Sequence, residues 1–181
     1  MKHDSSEHPP DSIDLAIVSL LQENCKQPLA AIGEQVGLTA SSVNERIHKL
    51  EQAGVIQGYT ARVDARRLGR DVTAFIGVQI NHPEAIAAFE REIGPIDDVL
   101  DCHHVTGNHT LMLKVKTSNT GSLERLIERM RCIEGVMRTE TMVVLSSHTE
   151  RTRIGVPPAD GENVRRPRRP HGSRLRRAEE A

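Results

Sequence analysis

The apolar residues of this chain keep two different periods, and the change falls near residue 70. Ile13, Ile17, Leu20 and Leu21 recur at helical spacing, as do Leu29, Ile32 and Val36, and then Val43, Ile47 and Leu50. Beyond Thr73, alternating strand patterns are interleaved with helical ones. Such a switch calls for a small helical unit followed by a mixed sheet unit, which is an α+β chain.

The local signals divide the first half into three helices. Ser12 or Asp11 can cap the first. The second runs from Pro28 to Val36, since proline is tolerated in a first turn. Gly33 inside it implies close helix–helix approach, because glycine in a helix interior costs about 1 kcal/mol against alanine. Gly37 supplies a left-handed cap, with Leu38 packing at the turn. Thr39 caps the third helix, which runs to about Ala53 and ends at Gly54. VIQGYTARVD then reads as a short β-hairpin or wing with Gly58 in its turn region. A four-residue turn between the second and third helices makes a helix-turn-helix.

The second half reads as strand 73–81, helix 82–94, strand 99–106, a strand through Leu111, Leu113 and Val115, helix 122–135 and strand 136–145. The order βαββαβ is the ferredoxin-like arrangement, two helices on one face of a four-stranded antiparallel sheet. The expected layout is a disordered leader (1–11), a winged helix-turn-helix (12–63), a hinge (64–72), a ferredoxin-like domain (73–150) and a basic disordered tail (151–181).

Composition narrows the function classes. Cys25, Cys102 and Cys132 form no CxxC pair, which argues against a disulfide framework or a zinc ribbon. The leader has no apolar signal region, and no run of about 18 apolar residues exists to span a membrane. A cytoplasmic protein with reduced thiols is the expectation. The formal net charge is -1, but from Gly155 onward seven arginines face four acids. The remainder is therefore acidic, and nucleic-acid binding must come from a local patch.

That patch is sought on the third helix. With Val43 at the core and a step of about 100° per residue, Ser41, Glu45, His48, Lys49 and Gln52 point away from it, with Asn44 and Arg46 on opposite shoulders. The N-terminal part of such a helix meets base edges. Thr39, Ser41, Ser42, Asn44 and Glu45 are therefore the candidate readers, and a carboxylate there accepts from a cytosine amino group. Arg46, His48 and Lys49 suit phosphates, which position without specifying sequence. The competing reading is a solvated face of mixed charge.

Four stretches carry a family resemblance. IDLAIVSLLQEN, VGLTASSVNERIHKLEQAGVIQGYTA, DCHHVTG followed by LMLKV, and RTETMVVL together resemble the Lrp/AsnC, or feast/famine, transcription regulators over about residues 11–150. The resemblance implies double-stranded DNA as a partner, a homodimer that assembles into higher homo-oligomers through the sheet domain, and a small-molecule effector, usually an amino acid. In the family, the loop between the second and third strands carries a G-D-x-D-like pattern. Here it reads Thr106-Gly107-Asn108-His109-Thr110, so both acidic positions are replaced. A carboxylate is the natural partner of an ammonium group. Asn108 and Thr110 instead suit a neutral or anionic ligand, and a protonated His109 suits an anion. By the same resemblance Thr139, Glu140 and Thr141 contribute from the last strand. A plain hairpin loop is the alternative.

Other chemistry is thinly supported. Cys102, His103, His104 and His109 crowd one hairpin, but their spacing fits no standard zinc site, so neither metal nor cofactor is expected. No nucleophile–base pair, P-loop or dinucleotide fingerprint appears, and no enzyme is expected. Two alternatives stand beside the regulator: an architectural DNA-binding protein without effector, and a sirohaem-decarboxylase-like enzyme of the same fold, against which the polar third helix argues. RRPRRPHGSRLRR reads as a basic arm for nonspecific phosphate contact or as a solubilising tail.

Overall fold

The computed structural model describes residues 9–156. The expected leader lies almost wholly, and the basic tail for the most part, outside these residues. The described chain divides into two compact units, residues 9–60 together with 152–156, and Ala61–Arg151.

The first unit is built on α1 (Ser12–Glu23), α2 (Leu29–Val36) and α3 (Ala40–Gln52). Asp11 is the N-cap of α1 in a reciprocal capping box: its Oδ1 accepts from the Asp14 amide at 2.8 Å, and its own amide donates to Asp14 Oδ2 at 3.1 Å. Two donors left over at the helix start are thereby satisfied. Ile17, Ile32, Val43 and Ile47 form the core, with Leu20, Leu29, Val36, Leu38 and Ile56 packed around them. These are the helical stripes expected from the sequence.

Gly33 is required for a reason other than helix–helix approach. A Cβ there would lie 2.4 Å from the Leu38 carbonyl oxygen, so the close contact is with the backbone of the turn itself. The Leu38 amide closes that turn onto the Gly33 carbonyl at 2.9 Å, and Gly37 between them has φ +72°. The residue before α2, Pro28, is its N-cap rather than its first residue.

The expected hairpin over Val55–Asp64 does not form paired strands. The amides of Val55 and Ile56 both return to the Leu50 carbonyl, closing α3 and placing Ile56 against the core. Beyond it, Tyr59 and Val63 are 51% and 65% exposed, so no buried face is available to drive strand pairing. Within the expected hinge, Arg66–Leu68 forms one 3₁₀ turn, and the first strand starts at Val72.

The second unit contains β1 (Val72–Ile80), α4 (Glu84–Ile93), β2 (Val99–His104), β3 (Leu111–Thr117), α5 (Thr120–Arg131) and β4 (Val136–Val143). The strands are antiparallel in the order β2-β3-β1-β4, the ferredoxin-like topology. Ala74, Ile76 and Val78 of β1 and Leu111, Leu113 and Val115 of β3 face the helices, where Phe89, Ile93, Leu123, Leu126 and Met130 complete the core. Asn119 caps α5 by accepting the Ser122 amide at 2.9 Å. The other sheet face stays open. It presents Phe75 and Met142 at 38% and 44% exposure, together with Met112, Lys114, Lys116, Arg138 and Glu140.

Candidate DNA-reading face and sheet-domain loop

The start of α3 is organised by Thr39. Its Oγ1 accepts the Ser42 amide at 3.2 Å and shares hydrogen bonds with the Ser41 and Ser42 hydroxyls at 3.0 and 2.9 Å. Thr39 and Ser42 are thus engaged in holding the helix end. Ser41, Asn44, Glu45, His48 and Lys49 are exposed. Asn44 is the exposed amide at this end, able to donate and accept at once, which is the chemistry that matches an adenine edge. Glu45 takes the Lys49 ammonium at 2.8 Å one turn on, which holds its carboxyl below the usual range. His48 Nδ1 lies 3.2 Å from Glu51.

Arg46 is turned inward to α1. Its Nη1 stands 2.7 Å from both Asp11 Oδ2 and Asp14 Oδ1. These bonds raise its pKa above the ordinary guanidinium value. The Asp14 amide, and then Arg46, hold Asp11 below the ordinary carboxylate value. An arginine expected to meet phosphate is therefore committed to the carboxylates at the start of α1. The local spacing of α3 could not show this, because the partners lie 35 and 32 residues away.

In the second unit the loop after β2 closes through the Val105 amide on the Thr110 carbonyl at 3.1 Å. Thr110 is a structural residue: its amide donates to the Val78 carbonyl at 2.8 Å, and its Oγ1 accepts the Ile80 amide at 3.1 Å. Gly107 has φ +114°, and Thr106 and Asn108 are exposed beside it. The His109 ring lies over Gly77 on the open sheet face, so close that a Cβ on Gly77 would sit 2.7 Å from it. Its Nε2 is 3.6 Å from Glu140 Oε2.

Thr139 and Thr141 lie on the opposite face. Thr139 pairs with Val78 and is 8% exposed, its hydroxyl accepting from Arg131 Nε at 2.8 Å. Thr141 pairs with the buried Ile76. The seven effector candidates therefore do not converge on one pocket. On the open face His109 meets Gly77 and Glu140. The sequence signal for this contact is Gly77, since a lone glycine inside a strand marks close approach by another group.

Burial pushes the Cys102 thiol pKa up, away from the thiolate a metal needs. Among the described residues no three His, Cys, Asp or Glu side chains gather as a metal site, and no helix is long and apolar enough to cross a membrane.

A three-helix unit presenting a polar α3 face, followed by a ferredoxin-like sheet unit, defines a helix-turn-helix transcription regulator. Residues 11–51 match the AsnC-type helix-turn-helix domain, and residues 73–154 match the Lrp/AsnC ligand binding domain. The chain belongs to the Lrp/AsnC family. It is 32% identical to the HTH-type transcriptional regulator FL11 of Pyrococcus horikoshii, over 82% of this chain and 97% of that protein. It is 30% identical to the regulatory protein AsnC of Escherichia coli K12, over 78% and 94%. A feast or famine regulatory protein from M. tuberculosis, solved with L-methionine, superimposes with a TM-score of 0.75 at 28% identity, over 81% and 99%.

Proposed function

We propose that this regulator reads duplex DNA through Ser41 and Asn44 at the start of α3, with Glu45, His48 and Lys49 at the groove edge. The observation that carries the reading is the orientation of α3. Its apolar stripe, Val43, Ile47 and Leu50, is buried, and its N-terminal part leaves the Asn44 amide and the Ser41 hydroxyl exposed. Thr39 and Ser42 support the helix end. Arg46 contributes by fixing α3 on α1. Binding is measured by fluorescence anisotropy on the gene's own upstream duplex and on a scrambled duplex. Wild type prefers its own sequence, and Asn44→Ala erases that preference while keeping nonspecific affinity. Equal binding of wild type to both duplexes favours the architectural alternative.

The sheet unit supplies assembly and response. The open face with Phe75 and Met142 supports a homodimer and higher homo-oligomers. The effector site is proposed at Thr106, Gly107, Asn108 and His109 with Glu140, whose carboxylate at the His109 ring restores an acidic partner that the loop itself lacks. L-Methionine, the ligand of the M. tuberculosis relative, is the first compound to try. A thermal-shift series over amino acids and small anions tests the site, and Glu140→Gln abolishes any response to an amine-bearing ligand. A cytoplasmic location accords with this reading.

A further inference from the structure

The DNA-binding unit is short of available cations. Residues 9–60 contain six acids and only Lys26, Arg46 and Lys49 as bases. Arg46 is held by Asp11 and Asp14, and Lys49 by Glu45. Among the described residues of this stretch, only Lys26 has no carboxylate partner. Duplex binding depends on cations that displace counterions from phosphates. With Arg46 committed to α1 and Lys49 shared with Glu45 in an exposed pair, this stretch offers few cations, and others supplied from elsewhere strengthen duplex binding.

The chain returns to this unit at Thr152. The side-chain amide of Gln22 on α1 makes a reciprocal pair with the backbone of Ile154: its Oε1 accepts the Ile154 amide at 2.8 Å, and its Nε2 donates to the Ile154 carbonyl at 3.1 Å. The neighbouring Arg153 donates to Ser19 Oγ at 2.9 Å and meets Glu23 Oε1 at 2.9 Å. Ser19, Gln22 and Glu23 stand at i, i+3 and i+4, one face of α1. The Ile154 side chain is 76% exposed, so the contact is polar and its specificity lies in three hydrogen bonds and one ion pair.

The sequence C-terminal to Val156 carries the cations that the unit lacks. Residues 165–177 hold seven arginines and no acid. The nine residues from Val156 to Arg165 have a contour of about 30 Å at most, so an anchor at Ile154 bounds the reach of the first of these arginines.

We propose that the Ser19–Gln22–Glu23 face of α1 is a docking site for the chain's own Arg153–Ile154 segment, and that this latch makes arginines 165–177 the phosphate-binding arm of the DNA-binding unit. The proposal rests on the DNA-binding reading above. Docking raises the effective concentration of the arm at the duplex, while each phosphate contact adds to the salt dependence.

The test uses the full chain, a chain ending at Val156, the charge-neutral pair Ser19→Ala/Gln22→Ala, and their combination. The probe is a labelled duplex of random sequence titrated at several salt concentrations. Truncation lowers the magnitude of the log K against log salt slope by roughly 3–6, at about 0.9 per lost phosphate contact. The latch pair weakens binding of the full chain about three- to tenfold and changes nothing in the truncated chain. An unchanged slope on truncation overturns the arm. A latch pair without effect in the full chain, or with equal effect in both chains, overturns the latch. A full chain that binds no duplex at low salt overturns the DNA-binding reading and this proposal with it. A truncated chain that loses slope yet still prefers its own upstream duplex supports both.

Discussion

Arg46 Nη1 lies 2.7 Å from Asp14 Oδ1, an ion pair joining the middle of α3 to the start of α1. Asp14 is also half of the capping box that starts α1, and Asp11, the other half, holds the same guanidinium. One arginine therefore ties α3 to the first turn of the unit. Arg46→Ala leaves the two carboxylates without their cation and destabilises the unit by roughly 1–2 kcal/mol. The check is a chemical denaturation curve of wild type beside Arg46→Ala. A variant as stable as wild type, with its DNA salt slope reduced, contradicts the clamp and returns Arg46 to the phosphates.

Gly33 meets the Leu38 carbonyl where a Cβ would stand, at 2.4 Å. The neighbour is backbone and cannot rotate aside. Gly33→Ala therefore costs about 2–3 kcal/mol through overpacking, although alanine is the better helix former. A melting temperature raised by Gly33→Ala would contradict the close turn.

Gly77 and His109 are coupled. Gly77→Ala forces the His109 ring off the open sheet face and lowers stability by about 1 kcal/mol or more. In the His109→Ala background the same change is neutral or favourable, because alanine suits a strand better than glycine. A double-mutant cycle with additive effects would deny the contact.

Tyr59 is the only tyrosine, so its phenolate absorbance reports one site. Partial desolvation of its ring, and then the hydrogen bond to Glu51 at 2.9 Å, push its pKa up to about 12. A raised pKa means that the protonated form is favoured in the folded state. Its contribution to stability is thus complete below the ordinary phenol value of 10.0 and is lost as pH rises through about 12. A spectrophotometric titration should show a midpoint near 12 in the folded protein and a lower one in Glu51→Ala. A folded-state midpoint at 10.0 would mean that Tyr59 is not held this way.

The sequence makes some of this legible and hides the rest for identifiable reasons. The alternation Leu111, Leu113, Val115 fits only a strand with one buried face, and all three are fully buried. The stripes of α1 to α3 are equally plain. A wing is not, because turn residues suggest a hairpin without saying whether a partner strand exists. Thr139 and Thr141 look like neighbours of the effector loop, yet strand parity puts them on the helix-covered face while Glu140 between them faces His109. Arg46 looks like a phosphate ligand because the carboxylates that claim it come from another helix. Patterns local to an element are readable, whereas pairings between elements are not.

In the proposed function α3 reads sequence through Asn44 while Arg46 holds the helix in place. It is tested most directly by enriching bound duplexes from a random pool with wild type, Asn44→Ala and Arg46→Lys. Wild type should enrich a defined motif, Asn44→Ala should lose preference at one base position, and Arg46→Lys should enrich the wild-type motif. Enrichment by Asn44→Ala of the same motif as wild type, or loss of a specific base preference in a folded Arg46→Lys, would contradict it.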